Sequence, residues 1–259
     1  MDSNNIKITP KWNKSKEQIW AERFDALEDI PRLRPFENNR WVLYAAAAVI
    51  LGILSLPIYA FFHTTDVIVS RGEYLSMELP DGSEVKMNSD SKLRFKPYWW
   101  SISREVELMG EAFFEVTKGS RFAIKTSNGL VTVLGTSFNV FSRENQFKVF
   151  CKTGQVKVAA GEESTVLTPN KQVVLQGDQL VESTSSNPAM SVGWTNGIFY
   201  FENTPLSDVV REIERQYNIT VDCPANMDYY YTGNFSREKN PREVLLIIGK
   251  PFGLTLTIK

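Results

Sequence analysis

The longest apolar stretch of the sequence runs from Trp41 to Phe62, reads WVLYAAAAVILGILSLPIYAFF, and contains no charged residue. Its 22 residues match the about 20 that an α-helix needs to cross a bilayer. Aromatic residues stand at both ends, where membrane interfaces favour them. A cleavable signal peptide has a short basic leader and a shorter apolar core, whereas 40 mostly polar residues precede this stretch. The pattern predicts one uncleaved membrane-spanning helix; the alternative is a buried core helix.

The charges on either side of this helix predict its orientation. Arg32, Arg34 and Arg40 lie just before it, and only Arg71 follows soon after it. Because basic flanks stay in the cytoplasm, we expect a cytoplasmic tail over residues 1–40 and the rest of the chain on the far side.

The tail contains a short amphipathic pattern. Ser15 and Gln18 have the spacing of a helix capping box, and Pro31 ends the helical pattern. Apolar side chains on one face of this helix would be Ile19, Trp20, Phe24 and Leu27. A tail of this length cannot bury these apolar side chains within itself. They therefore need a surface outside the tail to pack against. The polar face is acidic and suits an anionic bilayer badly, which favours a protein-binding helix over one lying on the membrane.

Residues 67–182 show short alternating apolar and polar runs separated by turn residues. Examples are KLRFKPY, LVTVLG, SFNVFS and FKVFCKTGQVKVAA. Many short strands at close spacing predict an all-β domain, either a sandwich, a barrel or a solenoid-like fold.

Within this region, EVELMGEAFFEV concentrates four glutamates, all at odd positions of the sequence. They are Glu105, Glu107, Glu111 and Glu115. Since strand side chains alternate between faces, all four share one face, opposite an apolar row. Paired carboxylates also occur in glycosidases, but supporting catalytic groups are missing from the sequence. We therefore interpret this row as the solvated face of a strand.

A polar, proline-containing segment over residues 183–195 is typical of a linker, and a second pattern starts at residue 196. Strands and helices then alternate as β-α-β-β-α-β through residue 259, which predicts a small α+β domain. Thr204 and Pro205 predict the cap and first position of one helix, and Asn240 caps the other.

Composition and motifs argue against catalysis. The chain has 29 basic and 30 acidic residues and a net charge of −1, so it lacks the basic field expected for direct nucleic-acid binding. His63 is its only histidine, so a histidine triad or a His-based metal site is not available. Cys151 and Cys223 form no Cys-x-x-Cys motif, and their pairing stays open. We expect no enzyme activity with turnover, no cofactor and no metal.

The ordered series LPDGSEVKMNSDSKLRF, REVELMGEAFFEV, RFAIKT, VTVLGTSFNV, TGQVKV and FYFENTPLSDVVREIERQYNITV resembles FecR-type anti-sigma regulators of Gram-negative bacteria. The resemblance extends from about residue 72 to the end. It includes a C-terminal domain similar to the secretin and TonB short N-terminal domain. The tail, at 40 residues, is shorter than in many relatives, which leaves anti-sigma and pro-sigma effects both open.

The resemblance implies a bacterial inner-membrane protein whose tail binds a cytoplasmic extracytoplasmic-function sigma factor. Its periplasmic part would contact the signalling domain of a TonB-dependent outer-membrane transporter for iron-siderophores or glycans, with envelope proteases acting on the chain. We predict that the transporter domain meets aromatic residues of the α+β domain, namely Phe199, Phe201, Tyr229 and Tyr231.

Two alternatives complete the expectations. Some relatives are thought to cleave themselves at a Gly-Thr bond, here Gly135-Thr136; otherwise Gly135 only makes a bulge or tight bend. The rival to a sigma regulator is a membrane-anchored periplasmic protein that binds envelope components or glycans. Trp99 and Trp100 would then supply an aromatic platform.

Overall fold

The computed structural model describes residues 13–25, 40–185, 187–224 and 227–259. The chain divides into two compact units, Met1–Leu54 and Ser55–Lys259. Each unit is considered by itself below.

Among the described residues before the β region there are two helices, α1 Lys16–Asp25 and α2 Arg40–Phe62. The second is long and apolar enough to cross a membrane, and none of its residues is buried. It includes Pro57 close to its end. This helix fits the predicted single-pass membrane anchor.

Thirteen strands after α2 form one large sheet. They are β1 Thr65–Val69, β2 Leu75–Glu78, β3 Glu84–Met87, β4 Ser91–Phe95, β5 Arg104–Glu115, β6 Phe122–Lys125, β7 Leu130–Val133, β8 Ser137–Arg143, β9 Gln146–Thr153, β10 Val156–Ala160, β11 Glu163–Leu167, β12 Lys171–Gln176 and β13 Gln179–Thr184. The main path runs β11-β10-β7-β6-β5-β8-β9-β12-β13. The end strands meet again, since the Leu180 amide donates to Glu163 Oε2 at 2.6 Å. The sheet is therefore nearly barrel-shaped, which agrees with the predicted all-β domain.

The long strand β5 joins two layers of this sheet. Its first half pairs with β4 and β6, and its second half pairs with β3 and β8. Gly110 stands where the strand changes partners, with a φ of 108°. A Cβ there would lie 2.4 Å from the Ser91 hydroxyl oxygen, so the bend requires glycine. The layers enclose a core that includes Val85, Phe114 and Phe138.

The second face of β5 differs from the expectation of a solvated glutamate row. Glu107 and Glu115 are exposed and Glu105 is partly exposed, but Glu111 is only 9% exposed. Phe113, on the same face, is 3% exposed and belongs to the core of the C-terminal region. The prediction was wrong at Glu111 because the C-terminal region covers this half of the strand.

The C-terminal region has the predicted order β-α-β-β-α-β. Its elements are β14 Ile198–Pro205, α4 Leu206–Tyr217, β15 Val221–Asp222, β16 Tyr230–Ser236, α5 Pro241–Gly249 and β17 Thr257–Ile258. β14 pairs with β16, and β15 with β17, both antiparallel. Leu206, Val209 and Ile213 of α4 are fully buried, as the helical pattern predicted.

The two predicted helix caps have different outcomes. The Asn240 side chain accepts a hydrogen bond from the Arg242 amide at 2.9 Å, so this cap is confirmed. Thr204 and Pro205 instead pair with β16 as the last residues of β14. The helix α4 therefore begins one residue later than predicted, at Leu206.

The segment expected to be a linker is largely folded. β13 extends to Thr184, and a short helix, α3 Ala189–Val192, follows it. Trp194 is 7% exposed and belongs to the C-terminal core. The polar composition of the segment did not predict this packing. One buried tryptophan and one short helix are enough to order it.

Candidate functional site

The helix α1 presents an exposed aromatic surface. Its N-terminus is closed by the predicted capping box, since the Gln18 amide donates to Ser15 Oγ at 3.3 Å and the Ser15 amide donates to Gln18 Oε1 at 3.2 Å. Trp20 and Phe24 stack at 4.8 Å between ring centroids and are each about half exposed. One turn of helix places these rings together, as the i, i+4 spacing predicts.

Of the other two residues on the predicted face, Ile19 is partly exposed, and Leu27 lies outside the described residues. We name the surface formed by Trp20 and Phe24 the tail surface. Exposed stacked aromatics of this kind are enriched where proteins meet partners. The prediction that they bind a sigma factor stays a prediction.

A second candidate site is the buried polar contact between β5 and α4, which we name the polar clamp. Glu111 accepts hydrogen bonds from Asn88 Nδ2 and Asn139 Nδ2, both at 2.8 Å. Asn139 Oδ1 in turn accepts from the indole Nε1 of Trp194 at 3.1 Å. The glutamate therefore orients two amides toward the C-terminal region.

On the other side of the clamp, Gln216 of α4 is 2% exposed. Both the nitrogen and the oxygen of its side-chain amide form hydrogen bonds. Its Nε2 donates to Asn88 Oδ1 at 2.8 Å and to Glu212 Oε1 at 2.7 Å. Its Oε1 accepts from Arg237 Nη2 at 2.8 Å. Because each buried polar group has partners, the contact fixes one arrangement of the two regions.

Burial raises the pKa of the Glu111 carboxyl, and the nearby Glu212 carboxylate raises it further. The two asparagine amides and Arg143 act in the opposite direction. Burial also lowers the pKa of Lys148, which lies close enough for its charge to interact with Glu111. The clamp therefore holds a carboxyl group whose charge is costly.

Next to the clamp lies an open cavity of about 380 Å³. Its walls combine polar groups of the clamp with aromatic side chains of the C-terminal region, including Glu111, Lys148, Trp194, Phe199 and Phe201. Sequence patterns do not reveal this cavity, because its walls come from strands and a helix about 50 to 100 residues apart.

The four aromatics predicted to meet a transporter domain have different environments. Phe199 and Tyr231 are 5% and 7% exposed, and Phe199 stacks on Phe235 at 4.9 Å. Phe201 is partly exposed, and Tyr229 is 39% exposed and packs beside Phe252. Phe199 and Tyr231 are thus core residues in this conformation. Binding through Phe201 and Tyr229 stays a prediction.

The Gly135-Thr136 bond lies between β7 and β8. A Cβ on Gly135 would lie 2.8 Å from the Lys118 Cα, so close backbone approach accounts for this glycine. Thr136 is 4% exposed, and its hydroxyl donates to the Gln155 carbonyl at 3.0 Å. In this conformation the hydroxyl is engaged as a hydrogen-bond donor. The two alternatives, self-cleavage and a glycine needed only for packing, both stay open.

The expected tryptophan platform is not present as a pair. Trp100 is 5% exposed and packs against Phe95 and Phe122 in the core. Trp99 is only partly exposed, with its ring edge against Phe61 at 5.3 Å. The two side chains point to different places because they flank the end of a 3₁₀ turn, Pro97–Trp99.

Both cysteines are free, Cys151 buried and Cys223 partly buried, so this structure does not join them. Burial raises the pKa of the Cys151 thiol to about 11. Across the described residues, no group of three or more His, Cys, Asp or Glu side chains could hold a metal ion.

Two family models match the chain, "FecR protein" over residues 65–157 and "FecR, C-terminal" over residues 198–259. No curated protein matches the sequence. Two crystal structures from Parabacteroides distasonis, each of a protein assigned as an anti-sigma factor, are similar to this chain. The structure at 1.65 Å resolution is 30% identical, with a TM-score of 0.69, and covers 75% of this chain and 98% of its own. The structure at 2.50 Å is 29% identical, with a TM-score of 0.70, and covers 76% and 98% respectively. The chain therefore belongs to the FecR family of anti-sigma factors.

Proposed function

We propose that this protein is an inner-membrane regulator that binds an extracytoplasmic-function sigma factor in the cytoplasm. It would respond in the periplasm to a TonB-dependent outer-membrane transporter and thereby control transcription of iron-siderophore or glycan uptake genes. Family membership supports the sigma-regulator role. The observation that carries the cytoplasmic half is the exposed tail surface on α1.

The tail surface suits a helix-in-groove contact. A capped helix presents its side chains with little further ordering, and Trp20 and Phe24 offer a large apolar area on one side. Glu17, three residues before Trp20, borders this area and gives the partner's groove a preferred charge.

The polar clamp supports the periplasmic half of the proposal. A transporter domain that binds the C-terminal region would act on α4 and on the turn that carries Trp194, and both share the clamp with β5. Because the clamp is buried and fully hydrogen-bonded, a small displacement of α4 would leave several polar groups without partners. Binding at the C-terminal region would thus loosen the β region.

We propose that this loosening exposes the chain to envelope proteases near α2, which then release the tail. A single membrane helix transmits little conformational information, and proteolysis removes that difficulty. A chain of unchanged length in membranes before and after induction would contradict this step.

The rival function is binding of glycan or envelope material by the β region, with an inert tail. Burial of Trp100 removes the paired aromatic platform on which that interpretation depended.

A transcription reporter tests the proposal in the source cell. The Trp20→Ala/Phe24→Ala variant should change expression from the sigma-dependent promoter, upward for an anti-sigma effect and downward for a pro-sigma effect. The Lys14→Ala/Glu22→Ala variant, which removes an exposed ion pair between the residue two before α1 and a residue within it, should leave it unchanged. Equal expression from all three proteins would favour the rival function.

A further inference from the structure

The loop between β4 and β5, residues 96–103, has one side fixed in the protein core. The Trp100 ring packs edge-on against Phe95 at 5.7 Å and Phe122 at 5.8 Å. The amides of Ile102 and Ser103 both donate to the Trp99 carbonyl at 3.0 Å. The loop is therefore a rigid turn with a defined outer side.

That outer side is apolar and exposed. Tyr98 and Ile102 are 61% and 68% exposed. Neither is a core residue, and two large apolar side chains exposed within one short loop are costly to leave in water.

The loop contacts the last turn of α2. The Trp99 ring meets Phe61 edge-on at 5.3 Å, and the Tyr98 ring lies 6.3 Å from Tyr59. Lys96 Nζ stands over the Phe61 ring at 4.1 Å. Among the described residues Lys96 makes no ion pair, so its ammonium keeps the capacity to bind an anion.

The length of α2 sets the depth of these contacts. A helix of 23 residues is about 34 Å long at 1.5 Å per residue, whereas the hydrocarbon core is about 30 Å thick. Tyr59 and Phe61 at its end therefore lie at the level of the lipid headgroups. The loop side chains that contact these two rings, Tyr98 and Trp99, lie in the same layer.

We propose that the loop over residues 96–103 docks on the phospholipid bilayer that holds α2. Tyr98 and Ile102 insert between headgroups, and Lys96 binds a lipid phosphate. Tyrosine, tryptophan and lysine are the side chains that suit this layer, because each has an apolar body and a polar tip. Continuity with the membrane helix makes the bilayer the occupant rather than a second protein.

Docking would orient the β region on the membrane. β5 begins directly after the loop, and Glu111 of the polar clamp lies seven residues further along it. At about 3.3 Å per residue, the clamp is roughly 23 Å from the loop along the strand.

The test uses the full chain in nanodiscs of phosphatidylethanolamine and phosphatidylglycerol. An environment-sensitive fluorophore is attached at Ile102→Cys or Tyr98→Cys in a Cys223→Ser background. Cys151 stays unlabelled because its thiol is buried with a raised pKa. Leu246→Cys is the matched control, since Leu246 is 71% exposed and lies on α5 of the C-terminal region.

Lipids that carry a nitroxide quencher near the headgroup should remove most of the fluorescence at positions 98 and 102 and little at position 246. Equal quenching at all three positions, or none, would overturn the proposal. Labels at 98 and 102 that are shielded from water but not quenched by lipid would also overturn it and would indicate a second copy of the chain on the loop. All three sites are exposed, so labelling leaves the core intact. The proposal rests on α2 as a membrane anchor and is independent of any sigma factor.

Discussion

Glu107, Glu111 and Glu115 occupy the same face of β5, yet only Glu111 is buried. Strand periodicity correctly assigned their face, since it depends on local backbone geometry. It could not predict which part of the face another region covers, because that depends on contacts about 100 residues away. The same limit applies to Trp194, which lies in a segment of polar composition.

The raised pKa of Glu111 leads to a prediction about pH. The folded chain holds this proton more tightly than the unfolded chain, whose glutamate has an ordinary pKa of 4.5. The contribution of Glu111 to the free energy of unfolding is therefore complete below pH 4.5 and is lost as the pH rises through the raised pKa. Each pH unit between the ordinary and the raised pKa corresponds to about 1.4 kcal/mol of unfolding free energy.

Glu111→Gln removes this titration but mismatches one asparagine amide, so it should destabilise the chain by about 1–3 kcal/mol at low pH. The stability advantage of the wild type over the variant should then shrink as pH rises from about 4 to 8. Unfolding of the full chain in detergent at several pH values measures this. The charged groups that act on Glu111 are not mutated in this variant; they are Glu212, Arg143 and Lys148. An advantage that grows with pH would show that the carboxylate form is favoured instead.

Thr136 gives a second residue-scale prediction. Thr136→Ala leaves the Gln155 carbonyl without its donor and should cost about 1–2 kcal/mol of unfolding free energy, while Thr136→Ser keeps the hydroxyl and should cost less. Because this hydroxyl is engaged, we expect the purified chain to remain one polypeptide. Gel electrophoresis checks this, and two fragments that meet at Gly135-Thr136 and vanish in the alanine variant would show self-cleavage.

At the scale of elements, the β-α-β-β-α-β order and the capping box of α1 could be predicted, because caps and periodicity are local signals. The start of α4 could not, since pairing of Thr204 and Pro205 with β16 extended the strand. The division of the sheet into two layers could not be predicted either, because it depends on the bend at Gly110. That bend requires glycine only because Ser91 packs against it in the folded chain.

The helix α4 offers a matched pair of variants. Gln216→Ala removes a buried amide with partners in both regions and should lower the unfolding free energy by about 1–3 kcal/mol. Arg211→Ala removes ion pairs that are accessible to solvent, one to Asp208 and one to Glu144 at 3.1 Å, and should cost less than about 1 kcal/mol. Limited proteolysis of the segment 185–197 should accelerate only in the glutamine variant. Similar rates in both would mean that the polar clamp does not hold the two regions together.

At the scale of the whole molecule, the family followed from an ordered set of motifs, the candidate membrane helix from the length of one apolar stretch, and the mostly β architecture from short alternating runs. Partners cannot be deduced in the same way, because a binding surface is recognised only with its counterpart. What the chain contributes is an aromatic surface on α1 and a buried clamp in the unit Ser55–Lys259.

The most direct test is the affinity of the full chain in nanodiscs for the extracytoplasmic-function sigma factors of the source cell. Our account predicts saturable binding to one of them. Affinity should fall at least about tenfold, or about 1.4 kcal/mol, in Trp20→Ala/Phe24→Ala, and stay unchanged in Lys14→Ala/Glu22→Ala. Failure to bind any of these factors, or equal binding by all three proteins, would contradict a sigma regulator that acts through the tail surface.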